Sequence, residues 1–104
     1  MRDNMTEFKD SNLFKRLNAE CNLSEDAKAF MDASMDDFFV EEYEDYAGGE
    51  ITYELRGMLT TYADGEEVEV VQVYDGNLIA MNALIEHLAF VQKLMLHFYL
   101  GMPL

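Results

Sequence analysis

The chain has 104 residues, half of them hydrophobic, with 21 acidic side chains against 7 basic ones and a formal net charge of −14. That length fits one domain spanning residues 1–104 and excludes two, and 7 Phe, 6 Tyr and 8 Met exclude a disordered acidic tail, which would be poor in aromatic and branched aliphatic residues. A field of this sign excludes direct binding of nucleic acid or of an anionic membrane and favours a basic partner surface.

Residues 1–10 are polar and are expected to be loosely held. Ser11 or Asn12 caps a short helix carrying Leu13, Phe14 and Leu17, which ends near Asn22. Ser24 is the next N-cap, with Glu25 and Asp26 in the first turn, where the helix dipole favours acids. At 100° per residue Ala27, Phe30, Met31, Ser34, Met35 and Phe38 share one side, so the spacing predicts an amphipathic helix through about Phe39. Glu41, Glu42 and Asp45 would turn into the apolar side if the helix ran on, so it ends, kinks or leaves the core near Val40. Gly48 and Gly49 close the segment.

A hairpin follows. Ile51, Tyr53 and Leu55 alternate with Thr52, Glu54 and Arg56, and Gly57 is a candidate bulge. Ala63, Asp64, Gly65 and Glu66 form the turn, and Val68, Val70 and Val73 mark the returning strand. Asp75, Gly76 and Asn77 read as a second turn into a brief third strand, Leu78 to Met81, with Asn82 capping the last helix; a direct passage into that helix is the alternative. The last helix is apolar on most sides: Met81, Leu84, Ile85, Leu88, Val91, Met95 and Phe98 form one stripe, and Ala83, Phe90 and Leu94 a second. In so small a domain a partner subunit is the expected cover for part of it. Gly101 and Pro103 stop it. The fold class is α+β: N-terminal helices, a small antiparallel sheet of two or three strands, and a long apolar C-terminal helix packed on it.

The charge is concentrated in the middle. Residues 25–75 hold sixteen acids against two bases, Lys28 and Arg56, and carry the whole net charge; the flanks hold five acids and five bases. Between Ala29 and Leu55 there is no base at all. Large core residues and balanced flanks argue against salt adaptation, and mutual repulsion in such a run favours a compensating use. The candidate partner-binding residues are Asp32, Asp36, Asp37, Glu41, Glu42, Tyr43, Glu44, Asp45, Glu50, Glu54, Asp64, Glu66, Glu67 and Glu69. Tyr43, with Phe39 and Tyr46, would supply aromatic contact area among charges that steer the encounter.

Catalytic signals are weak, and no catalytic residue is assigned. No Gly-rich phosphate loop, nucleophile elbow or paired-cysteine metal motif is present. His87 and His97 are ten residues apart on one helix, on faces that diverge by roughly 80°. Asp32 to Asp45 lacks the spacing of a calcium loop, so neither a metal site nor a cofactor is expected. Cys21 is the only cysteine. With no internal disulfide and no apolar signal core near the start, the expected location is cytoplasmic. Polar residues from Asn82 to His97 argue against a membrane span.

A helix of residues 24–44 would be about 31 Å long. Duplex DNA of that length holds about eighteen charges, and the helix offers roughly half as many, with carboxylates in place of phosphates as partners for arginine forks. In size, charge and lack of catalytic motifs the chain resembles the small acidic phage-encoded inhibitors of the anti-restriction and anti-CRISPR type, which act as nucleic-acid mimics. The resemblance rests on the central acidic run, covers about half the chain and involves no family motif. It implies a non-enzymatic inhibitor that occupies the basic nucleic-acid-binding surface of a host protein, such as a CRISPR or restriction nuclease, in the host cytoplasm. The alternative is an acidic interaction or adaptor module, homodimeric through its C-terminal helix.

Overall fold

The computed structural model describes residues 5–44 and 48–104. The elements run β1 (Thr6–Glu7), a 3-10 turn (Phe8–Asp10), α1 (Asn12–Glu20), α2 (Glu25–Ser34), β2 (Phe39–Glu44), β3 (Ile51–Ala63), β4 (Glu66–Asn77) and α3 (Leu78–Leu100). The α+β class is as expected. The sheet is larger than the expected two or three strands: among the described residues it has four, in the order β1-β2-β3-β4, with antiparallel pairing throughout.

The helix starts follow local chemistry. The Ser11 hydroxyl accepts from Phe14 N–H (3.1 Å) and donates to the Phe8 carbonyl (2.6 Å). The Ser24 hydroxyl accepts from Ala27 N–H (3.0 Å), and both its O–H and its backbone N–H donate to the Glu86 carboxylate on α3 (2.6 and 2.8 Å). The cap of α2 is therefore also a strut to α3. Gln92 donating to Ser34 (2.8 Å) and Lys93 paired with Asp26 (3.0 Å) extend that bracing.

Four expectations are corrected. First, α2 ends at Ser34, not near Phe39. Met35 and Phe38 keep the helical spacing of apolar residues because both are fully buried, but they reach the core from a turn closed by Phe38 N–H to Met35 C=O (3.2 Å). Lys9 donates to the Asp32 carbonyl (2.7 Å), satisfying an orphan acceptor at the helix end, and pairs with Asp36 (2.7 Å). Residues Glu41 to Glu44 then belong to β2. Second, the stretch from Thr6 to Asp10 is docked: Phe8 is fully buried and its N–H donates to Phe38 C=O (2.8 Å). Residues 1–4 lie outside the described residues.

Third, Gly57 is no bulge; it pairs in register with Gln72. Its lack of a side chain matters because a Cβ there would overlap the Phe38 ring. Fourth, residues 78–81 are helix. β4 runs through Asp75 and Gly76 to Asn77, whose side chain accepts from Ala80 N–H (3.0 Å) and caps α3. Gly76 is needed there because a Cβ would come within 2.6 Å of that of Ala80.

The helices cover one sheet face. Val40, Tyr53 and Leu55 meet Phe8, Leu13, Leu17, Phe30, Met31, Met81 and Ile85 in the core. β2 pairs with β3 only from Ile51 to Arg56, so beyond Gly57 the hairpin continues as a two-stranded ribbon. Alongside it runs the C-terminal half of α3, held by Thr61 donating to the Met95 sulfur (3.0 Å) and by Tyr62 stacked on Tyr99 (5.3 Å between centroids). The result is elongated, 48 × 32 × 21 Å. By length and composition α3 is also apolar enough to cross a membrane. Gly101, at φ 70°, ends it, its N–H donating to His97 C=O (3.1 Å).

Gly57→Ala is expected to destabilise the fold by about 1–3 kcal/mol through overpacking against Phe38. In denaturant melts its combination with Phe38→Leu should cost less than the two single changes together, because the smaller side chain makes room for the added methyl.

Candidate partner-binding surface

The predicted contact residues fall into three groups. At the end of α2 are Asp32, Asp36 and Asp37. At the broad end of the sheet are Glu41, Glu42, Tyr43, Glu44, Glu50 and Glu54, joined by Asp75, which pairs in register with Glu54. At the hairpin tip are Asp64, Glu66, Glu67 and Glu69. With a rise of about 3.4 Å per residue, β3 holds the last two groups roughly 40 Å apart. Asp45 and Tyr46 lie outside the described residues.

Register sets which acids can meet a partner. Alternation along β3 sends Tyr53, Leu55 and Gly57 into the core and Glu54, Arg56 and Met58 to the opposite face. Glu41 lies opposite Glu54, and at 5 % exposure it is withdrawn from solvent. Glu54 accepts from Arg56 (2.7 Å) and from the Tyr43 hydroxyl (3.3 Å). Glu50 accepts from Asn77 (2.7 Å). These contacts brace the sheet. Asp32, Asp37, Glu42, Glu44, Asp64, Glu66, Glu67 and Glu69 are exposed, and none of them pairs with a base among the described residues. Four of the cations are drawn elsewhere: Lys9 to Asp36, Arg16 to Glu20, Arg56 to Glu54 and Lys93 to Asp26.

The sequence reading missed the apolar strip between the sheet acids. On the face opposite the helices, Phe39, Met58, Val71 and Val73 are all exposed, Val71 at 63 %, and strand pairing sets Phe39 beside Arg56, Arg56 beside Val73 and Met58 beside Val71. Strict alternation through Val71 and Val73 carried that signal. The count of valines hid it, because the strand's inward set was assigned across both faces.

The remaining reactive groups have structural surroundings. Arg16 donates to both Glu20 and the Tyr53 hydroxyl (2.9 and 2.7 Å). Those hydrogen bonds raise its pKa and hold the Glu20 carboxyl below its usual range. Burial, and secondarily the Glu20 carboxylate, push the Cys21 thiol up. Burial and Glu67 raise Tyr62. Between the ribbon and α3 lies a cleft of about 310 Å³ lined by Leu59, Val70, Leu88, Val91 and Met95, with His87 at its side. Among the described residues no group of three or more His, Cys, Asp or Glu is arranged to hold a metal ion.

Comparison with protein-family models, curated proteins and solved structures returned no match to this chain.

A raised thiol pKa leaves little thiolate at neutral pH. Cys21 should therefore react with iodoacetamide at pH 7.5 more slowly than free cysteine, and Glu20→Gln should speed that reaction by removing the nearby negative charge. Mass-spectrometric time courses read both.

Proposed function

We propose that this chain is a non-enzymatic acidic inhibitor that mimics nucleic acid and blocks a basic nucleic-acid-binding surface of a host protein, in the host cytoplasm. One observation carries the reading. Averaged over the 48 Å length of the body, the net charge of −14 is about one charge per 3.4 Å, which is the linear density of a single nucleic-acid strand and half that of a duplex. This replaces the comparison with a 31 Å acidic helix, since α2 spans only Glu25–Ser34. The relevant carriers are the exposed, unpaired carboxylates of the sheet end and hairpin tip. A groove lined with lysine and arginine, such as that of a nuclease, would meet carboxylates where it expects phosphates. The resemblance to phage-encoded anti-restriction and anti-CRISPR inhibitors remains one of class.

A second reading is favoured by the apolar strip of Met58, Val71 and Val73 between the two groups of sheet acids. A partner that buries this strip would recognise a protein-like mixture of charge and apolar area. The chain would then be an adaptor docking a basic surface that never carries nucleic acid.

The test is capture from cell lysate on the immobilised chain at low salt. The inhibitor reading expects retained proteins to be nucleic-acid binders, released by a salt gradient and by added DNA or RNA. The variant Asp64→Asn/Glu66→Gln/Glu67→Gln/Glu69→Gln should weaken retention about thirtyfold, at roughly 0.5 kcal/mol per exposed charge. Retention that ignores added nucleic acid but fails with Val71→Glu would favour the adaptor. Retention that survives high salt and both variants would remove both readings.

A further inference from the structure

We infer that two copies of this chain associate through an antiparallel contact between their α3 helices, whatever the acids bind. The outward side of α3, away from the sheet and from α2, carries Ala80, Ala83, His87, Phe90, Leu94 and His97. Their spacing alternates between three and four residues, the repeat of a seam made to receive another helix. Ala80, Ala83, His87 and Phe90 are exposed, and Leu94 and His97 half-exposed. The sheet and α2 bury the other side through Met81, Ile85, Leu88 and Ala89, so this seam has no cover among the described residues.

Area and charge point to a second copy as the occupant. Ile79, Phe90, Phe98, Tyr99, Leu100 and Met102 are 49–78 % exposed. Of these, Ile79, Phe90 and Phe98 lie on or beside the seam, and at about 200 Å² for a whole side chain they present roughly 400 Å², half of the roughly 800 Å² each partner contributes to a stable interface, before the seam's exposed alanines and His87 are added. α3 is also electroneutral, with Glu86 and Lys93 its only acid and base, while the rest of the chain carries −14. Of all the elements it is the one that two such anions can bring together without facing like charges.

The two charges also fix a direction. A two-fold axis at the midpoint of Leu78–Leu100 pairs the helices over their whole length, about 34 Å. In that register, centred on Ala89, Ala83 and Glu86 lie within one residue of the level of the second copy's Leu94 and Lys93. Opposite charges flank the seam in both halves, although within each chain Glu86 also holds Ser24 and Lys93 also pairs with Asp26. A parallel contact would set Glu86 beside Glu86 and Lys93 beside Lys93. The contact is self-complementary, as a two-fold interface requires.

The experiment is sedimentation velocity on the full chain from about 1 to 100 µM. The expected result is a species of twice 12.0 kDa predominating at the upper end. Phe90→Glu, at a 58 % exposed position, should give a monomer with unchanged circular dichroism, and Val71→Glu on the far sheet face should leave the dimer intact. Direction is read by mixing Cys21→Ser/Ala83→Cys with Cys21→Ser/Leu94→Cys under oxidation. The mixed disulfide supports the antiparallel register, and homodisulfides of each variant alone would overturn it. A strict monomer at 100 µM, or a dimer indifferent to Phe90→Glu, overturns the proposal. So does flotation of a monomeric chain with phosphatidylcholine vesicles, which would assign α3 to a bilayer instead.

Discussion

Phe38 resting on the bare backbone of Gly57 is the contact that fixes how the helical layer meets the sheet. The ring is fully buried and occupies the space any side chain at position 57 would need. The same residue accepts from Phe8 N–H and donates to Met35 C=O. One side chain and its peptide groups thus end α2, start β2 and dock the N-terminal segment. Because β2 enters at this point, it can pair only with the first half of β3. The second half of the hairpin is left to find its support from α3 alone.

That division separates the molecule into two regions of different chemistry. The broad end has a core between one sheet face and the helices, with Tyr53 and Leu55 at its centre, and part of its polar surface is tied up by Arg16, Arg56 and Asn77 while Glu42 and Glu44 stay exposed. The narrow end is a ribbon against one helix, joined by Thr61 to Met95 and Tyr62 to Tyr99. Its hairpin side is acidic and its helix side apolar and neutral. Charge and hydrophobicity are segregated by element, which lets one end offer two unlike surfaces.

Much of this was legible in the sequence where the cause was local. Ser24 followed by two acids, the Asp64-Gly65 turn and Gly101 each act through their own backbone, and each does what its residue type implies. Misreadings arose where a distant contact decided the outcome. Met35 and Phe38 keep a helical spacing, yet nothing nearby reveals that Phe38 is wanted by Gly57 nineteen residues on. Asp75-Gly76-Asn77 has the composition of a turn, but Gly76 is there to clear Ala80, and the cap is Asn77 rather than Asn82. At the candidate surface the acidic run itself was plain, while its division into three groups was not. The faces that Glu41 and Glu54 occupy depend on strand register, and two-residue β1 is too short to leave any pattern.

Among the described residues β4 pairs only with β3, so along twelve residues its other edge offers unsatisfied peptide groups to any strand that approaches. Val68, Val70, Val71 and Val73 would make such an edge adhesive. Glu66, Glu67, Glu69 and Asp75 stand at its two ends, and a second β4 brought alongside would set carboxylates near carboxylates. The acids therefore act as guards of an open edge as well as a display toward other molecules, and they leave the uncharged helix as the side on which copies can approach.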